Sequence, residues 1–303
     1  MQIKRNVLLN PGPAATTDTV KMAQIVPDIC PREKEFVSMM KQMREDLVRI
    51  VHGDLNKYTS VLFCGSGTIT MDVCINSLLP KGKKILIINN GTYSMRAVEI
   101  CEYYNLPFVN FDCPIDEIPD LNQVEQILKE NQDIALVYTT HNETGTGILN
   151  PIKEIGFLVH KYSAVFIVDT IFTYAMKPID IEKDNIDFCM ASAQKGLMAM
   201  TGLSFVIGNT ELIKKSAAYP KRSYYCNLYM QYHFLKQRDK CTLRRLFRRF
   251  MLPVRRLMNI LGKAKNQNGK DIQRCLRRYT QDLINSASRT LSGGIYRQVL
   301  VLQ

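Results

Sequence analysis

Apolar positions over residues 33–234 follow two rhythms. Between Glu33 and Val51 they fall at Phe36, Met39, Met40, Met43, Leu47, Ile50 and Val51, a spacing of three and four that lines one face of a helix. Short β-branched and aromatic runs then recur at 60–63, 84–88, 107–111, 134–139, 164–168, 188–191 and 203–207. Helical patterns at 69–79, 95–104, 121–130 and 152–162 separate several of them. The strand runs are apolar without polar alternation, the pattern of strands covered on both faces. The order predicts an α/β fold: a mainly parallel sheet sandwiched by helices, with any ligand site at the carboxyl ends of the strands.

The chain has 303 residues, 46% hydrophobic and 22% charged, a composition that excludes disorder and collagen-like structure. Apolar stretches such as 85–88 fall far short of the ~20 residues that span a bilayer, and Met1-Gln2-Ile3-Lys4-Arg5 lacks the apolar core of a signal peptide. A cytoplasmic protein without a membrane partner is expected. Nine cysteines with no C-x-x-C and only four histidines favour reduced, mostly buried thiols over a disulfide framework, and no metal site is expected.

The net charge of +12 would by itself nominate nucleic acid or an anionic membrane as partner. Its location changes that reading. Through Phe234 there are 23 Lys+Arg against 25 Asp+Glu, whereas residues 235–303 hold 17 against 3, with no Glu beyond Glu211. The two parts pose separate problems.

In the first part, four groups of residues fall at strand ends. Cys64-Gly65-Ser66-Gly67-Thr68 precedes a helix, where two glycines permit close backbone approach and exposed amides favour an anion such as phosphate; an ordinary capped turn would look the same. Asn89-Asn90-Gly91-Thr92-Tyr93 puts an aromatic ring where it could stack on a planar ligand or plug the sheet edge. His141-Asn142-Glu143-Thr144-Gly145-Thr146-Gly147 is a dense polar turn. Asp169 ends the run 164–168, and 26 residues later Ala193-Gln194-Lys195-Gly196 ends another. An amine on one strand end and a carboxylate on its neighbour suit pyridoxal phosphate, with Lys195 forming the Schiff base and Asp169 keeping the ring nitrogen protonated. The turn at Ser66-Thr68 would take the phosphate and Tyr93 the ring face.

These groups, in this order and together with Leu8-Leu9-Asn10-Pro11-Gly12-Pro13, resemble the class V group of fold-type I pyridoxal-phosphate aminotransferases over residues 6–234. The likeness is strongest to the branch that moves the amino group of 2-aminoethylphosphonate to pyruvate, giving phosphonoacetaldehyde and L-alanine. The resemblance implies catalytic roles for Lys195 and Asp169, with ring packing by Tyr93 and Ile171 from opposite sides. It also implies cofactor contacts from Ser66, Gly67, Thr68, Thr144 and Gln194, substrate-side positions at Asn10 and Gly12, and a homodimer with active sites at the interface. One departure is Phe172, which stands where small hydroxyl residues are usual and could crowd the cofactor or face harmlessly outward. Other class V aminotransferases that use serine or alanine are the alternative; a cysteine desulfurase is disfavoured because Gln194, not His, precedes the lysine.

The resemblance stops where the charge changes. Residues 1–20 read as a substrate-side segment, 21–234 as the large cofactor-binding domain, and 235–303 as a basic tail in place of the family's small domain, which is not recognisable. Permitted codons for residues 236–252, read two bases later, give Thr-Glu-Gly-Gln-Met-His-Phe-Thr-Pro-Pro-Val-Gln-Thr-Ile-Tyr-Ala, which resembles the family's continuation. A frameshift just after Phe234 is the expectation, with impaired activity as its consequence. The arginine-rich run 244–257 then needs no nucleic acid to explain it, although a non-catalytic protein whose basic tail binds nucleic acid is the rival from another class.

Overall fold

The computed structural model describes residues 8, 10–22, 30, 33–115 and 117–237. In chain order the elements are α1 (Asp18–Met22), α2 (Lys34–Ile50), β1 (Tyr58–Cys64), α3 (Thr68–Leu78), β2 (Lys84–Asn89), α4 (Thr92–Tyr103), β3 (Phe108–Asp112), α5 (Leu121–Glu130), β4 (Ile134–Thr140), β5 (Asn142–Glu143), β6 (Ile148–Leu149), α6 (Ile152–Lys161), β7 (Val165–Asp169), β8 (Phe188–Ser192), β9 (Leu203–Asn209), α7 (Thr210–Lys215) and α8 (Leu228–Gln237). Every predicted run over residues 33–234 is found as an element of the predicted type.

The uninterrupted apolar runs follow from two cores. Successive strand residues point to opposite faces, so Leu86 and Ile88 join the core under α2, α5 and α6, while Ile85 and Ile87 join the one under α3, α4 and α8. Phe166 and Val168 face the first core, and Ile167 the second. Neither face can be polar, and this removes the alternation. The exception is β3, an edge strand, where Phe108 and Val109 are only half-buried because one side has no neighbouring strand.

Helix boundaries have local causes. On α2 the spacing of Phe36, Met40, Met43 and Leu47 buries one stripe. The Asp120 side chain caps α5 by accepting from Asn122 N, and Asn209 caps α7 by accepting from Glu211 N and Leu212 N.

Seven strands form one sheet in the order β1-β9-β8-β7-β4-β2-β3, and β5 and β6 make a separate small hairpin. The contacts β3·β2, β2·β4, β4·β7 and β7·β8 are parallel, whereas β9 runs antiparallel to both β8 and β1. Strand β1 therefore points the same way as β8. In consequence the carboxyl ends of β1, β2, β4, β7 and β8, at Cys64, Asn89, Thr140, Asp169 and Ser192, share one edge of the sheet.

No helix among the described residues is long and apolar enough to cross a membrane. All described cysteines are free, with Cys64, Cys74, Cys101 and Cys189 buried. Of the tail, residues 238–303 lie outside the described residues, and with them the arginine-rich run and most of the frameshift reading. Helix α8 itself continues past Phe234 and buries Leu235 against the second core.

Candidate active site

Asp169 is the last residue of β7 and is almost completely enclosed, at 4% exposure. Its Oδ1 accepts from Ile171 N at 2.8 Å, and the hydroxyl of Tyr138, itself buried, donates to Oδ2 at 3.3 Å. Burial is the main influence on this carboxyl and pushes its pKa up to about 6; the two hydrogen bonds and the charge of Arg96 oppose the rise, and the charge of Glu143 adds to it. A carboxylate so placed is ionised at neutral pH at a cost that a neighbouring cation would relieve.

Lys195 sits in the turn after β8, closed by Lys195 N donating to Ser192 O and by Met198 N donating to Lys195 O. The side chain is half-buried, and burial pushes its pKa down while the charge of Asp169 resists. Its Nζ donates to Pro11 O at 3.3 Å. The following residue, Gly12, has φ +137°, and a Cβ there would lie 2.5 Å from Lys195 Cδ and 2.8 Å from Nζ. The backbone angle favours glycine, and a side chain there would also push the Lys195 side chain aside. Ala14 N donates to Gln194 O at 2.8 Å, so the N-terminal segment lies along the lysine turn. Gln194 is buried and its Oε1 accepts from Ser192 Oγ at 2.6 Å.

Across the sheet edge, residues 65–68 turn β1 into α3. Ser66 is exposed, Gly67 buried and Thr68 half-buried. A Cβ on Gly67 would stand 2.7 Å from Ile171 Cδ1, so this glycine lets the segment after Asp169 pack on the turn. At the start of α3, Ile69 N donates to Ser66 O and Thr70 N to Gly67 O, and the positive end of the helix dipole faces the strand-end edge, which favours an anion there. Ser204 Oγ, on the neighbouring β9, lies 3.0 Å from both Gly65 O and Ser192 Oγ, tying this turn to the lysine turn.

Tyr93 and Thr144 are joined through a residue that carried no assigned role in the sequence. Glu143 is wholly buried; its Oε1 accepts from Tyr93 N at 3.1 Å and its Oε2 from Ser94 N at 3.2 Å, which caps α4 from a distant loop. Gly91 permits this, because a Cβ there would fall 2.2 Å from Glu143 Cγ. The adjacent Thr144 is half-buried in the same loop, which Gly147 N closes onto Glu143 O at 2.7 Å. Behind the loop, His141 Nδ1 contacts Thr173 Oγ1 at 2.9 Å, and burial pushes the His141 pKa down to about 4, so the ring is neutral.

The edge thus gathers Lys195, Asp169, Gln194, Ile171, Ser66, Gly67, Thr68, Tyr93, Thr144 and Gly12, whereas Asn10 is exposed. Phe172 is half-buried between the buried Ile171 and Thr173. Sequence reasoning missed Glu143 as a cap and Arg96 as the partner of Thr68; the latter's only signal is its place one helical turn after Tyr93.

The sheet order and its helix layers are those of a fold-type I frame, with the strand-end residues on its carboxyl edge. The family model for aminotransferase class-V matches residues 22–223, and the chain belongs to that family. Among curated relatives it is 38% identical over 235 residues to a bifunctional phosphonoacetaldehyde hydrolase/aminoethylphosphonate transaminase of Clostridioides difficile strain 630, covering 77% of this chain and 36% of that protein. It is 35% identical over 233 residues to a 2-aminoethylphosphonate–pyruvate transaminase of Lysinibacillus sphaericus strain C3-41, covering 77% and 63%. The chain therefore spans less than two thirds of the length of either. Among solved structures, an alanine–glyoxylate aminotransferase from Nostoc sp. superposes with a TM-score of 0.78 at 21% identity, covering 87% of this chain and 70% of that one. A pyridoxamine–pyruvate aminotransferase from Mesorhizobium loti does so with 0.76 at 18%, covering 88% and 67%.

The family's cofactor is pyridoxal 5′-phosphate, and the residues present fit it. A buried carboxylate forms no ion pair among the described residues, a lysine of lowered pKa follows the neighbouring strand end, and the start of α3 stands on the same edge. Among the described residues no group of three or more His, Cys, Asp or Glu is placed to hold a metal ion.

Proposed function

We propose that this chain transfers the amino group of 2-aminoethylphosphonate to pyruvate, using pyridoxal 5′-phosphate held by residues 21–234. The observation that carries the reading is the pairing of a half-buried Lys195 of lowered pKa with a buried Asp169 on adjacent strand ends. The phosphonate donor rests on the likeness to the two aminoethylphosphonate transaminases at 35–38% identity.

Bound cofactor supplies a carbonyl carbon for amines and a ring that accepts the electron pair left when the substrate loses a proton. Asp169 would keep the ring nitrogen protonated, and that cation would offset the cost of its own buried charge. Lys195 Nζ would hold the cofactor as its amine partner and, in its neutral form, would serve as the base that moves the proton at the substrate's amine-bearing carbon. Its lowered pKa favours the neutral form that this base must have. Ser66, Gly67 and Thr68 would hold the phosphate, Tyr93 and Ile171 would pack on the ring, and Thr144 and Gln194 would make further cofactor contacts. Asn10 and Gly12 belong to the substrate side, in a segment that keeps Nζ aimed through Pro11 O.

The same reading makes the protein a cytoplasmic homodimer and residues 235–303 an out-of-frame replacement of the small domain, lowering activity. Sequencing the gene across the Phe234 codon tests the last point, and restoring the frame should raise turnover.

The function is tested with the full chain and added cofactor. Borohydride should fix the cofactor to the peptide containing Lys195, and alanine should form from pyruvate with 2-aminoethylphosphonate in preference to serine or other amines. Identical absorbance spectra for wild type and Lys195→Ala, with no reduced adduct, would refute the cofactor assignment; a preference for another amine would refute the donor.

A further inference from the structure

Arg96 has no part in the reading above. It stands on α4 one turn after Tyr93, half-buried, with its guanidinium 5.2 Å from the centroid of the Tyr93 ring. Its Nη1 donates to Thr68 Oγ1 at 3.2 Å, at the first residue of α3. Among the described residues these two are its partners, and neither is a carboxylate. A half-buried guanidinium has five donors and a charge to satisfy, and here one donor is used by a neutral hydroxyl.

The composition of the strand ends points the same way. The segments 64–70, 89–95, 141–149, 169–174 and 193–204 contain Lys195 and His141 as their only basic residues. His141 is neutral because burial lowers its pKa to about 4, and Lys195 Nζ is directed to Pro11 O. A phosphate monoester brings close to two negative charges, which amides and hydroxyls of a helix start can hydrogen-bond but not neutralise. Arg96 is the charge next to that turn. It also reaches the rest of the site, since it draws the Asp169 carboxyl down against the effect of burial.

We infer that Arg96 binds the phosphate of the cofactor, supplying the positive charge that the turn at residues 66–68 lacks, and that its stacking on Tyr93 links phosphate seating to the position of the ring. This rests on the proposed assignment of that turn to the cofactor phosphate. Arg96 is then a binding residue for the phosphate, with no part in proton transfer.

Equilibrium binding of pyridoxal 5′-phosphate and of pyridoxal, which lacks the phosphate, to the full chain tests it, with wild type, Arg96→Met and Arg96→Lys compared by absorbance. Removing one charge-assisted contact should weaken pyridoxal 5′-phosphate about tenfold or more in Arg96→Met, while pyridoxal changes less than about twofold. Arg96→Lys should recover part of the loss, and inorganic phosphate should compete with pyridoxal 5′-phosphate less effectively in Arg96→Met than in wild type. If both ligands weaken together, Arg96 shapes the fold rather than the phosphate site, and if neither weakens it does not touch the phosphate; either result overturns the inference. A wild type that binds neither ligand would overturn the cofactor reading and this inference with it, a result distinct from both.

Discussion

The wholly buried carboxylate of Glu143 accepts the backbone N–H of Tyr93 at 3.1 Å, from 50 residues further along the chain. One side chain thereby fixes the start of α4, which carries Tyr93 and Arg96, to the loop that carries Thr144. Removing it leaves the buried amide of Ser94 and the half-buried amide of Tyr93 without this acceptor. Glu143→Ala should cost about 3 kcal/mol of unfolding free energy, and Glu143→Gln, which keeps the shape and one acceptor, about half as much. Urea unfolding checks this. Cofactor affinity should fall in the same order, and a Glu143→Ala chain as stable as wild type would show that the α4 amides find other partners.

Gly12 makes a second prediction, on function without stability. Its φ of +137° is closed to a side chain, and a Cβ would press on Lys195 Cδ and Nζ. Gly12→Ala should displace the 10–14 segment and release Nζ from Pro11 O, because strain of about 1–3 kcal/mol outweighs a single hydrogen bond. The thermal midpoint should hold within about 2 °C, while cofactor attachment slows by about tenfold. Stopped-flow absorbance separates the two; attachment at the wild-type rate would mean that the segment does not aim the lysine.

The pH dependence of attachment reports the two opposed influences on Lys195. Only the neutral amine attacks a carbonyl, so the attachment rate should rise with pH to a midpoint below the ordinary lysine value of 10.5, because burial disfavours the ammonium. Asp169 opposes this with its negative charge. In Asp169→Asn the midpoint should move lower still. A midpoint unmoved by the substitution would show that the two groups do not sense each other.

Much of this was legible in the sequence, because the features involved are local. Runs such as 84–88 are apolar at every position since each face of β2 meets its own core, and the helix over Leu121–Glu130 coincides with its periodicity. The start of α4 was less so: the periodicity begins at Met95, but the helix begins at Thr92 because Glu143 caps it. Strand direction was hidden too. An apolar run reads the same in either sense, so nothing local marked β9 as antiparallel. Strand-end residues were visible as types, Lys195 and Asp169 above all, whereas the contacts of Gly12 with Lys195 and of Arg96 with Thr68 join segments that only the sheet order brings together.

Asp169 should trade stability for function, and pH exposes the trade. Its carboxyl pKa in the folded chain is about 6, above the ordinary 3.8, so between these values the folded state holds a proton that the unfolded state has lost. The sign follows: this group's contribution is most favourable below about pH 4 and is lost as pH rises through about 6, a penalty of about 3 kcal/mol at pH 7.5 in the absence of cofactor. Asp169→Asn carries no charge to desolvate. It should therefore be more stable than wild type at pH 7.5 without cofactor, and the advantage should be nearly gone at about pH 3, where the wild-type carboxyl is mostly protonated in both states. Added pyridoxal 5′-phosphate should reverse the order at pH 7.5, since a protonated ring nitrogen against the carboxylate replaces the missing cation and an amide cannot hold that proton. Transamination by the asparagine variant should drop by about a hundredfold or more. Denaturant unfolding of both chains at the two pH values, with and without cofactor, measures all four differences. A variant less stable than wild type at pH 7.5 without cofactor would mean that the hydrogen bonds from Tyr138 and Ile171 outweigh the cost of burying the charge.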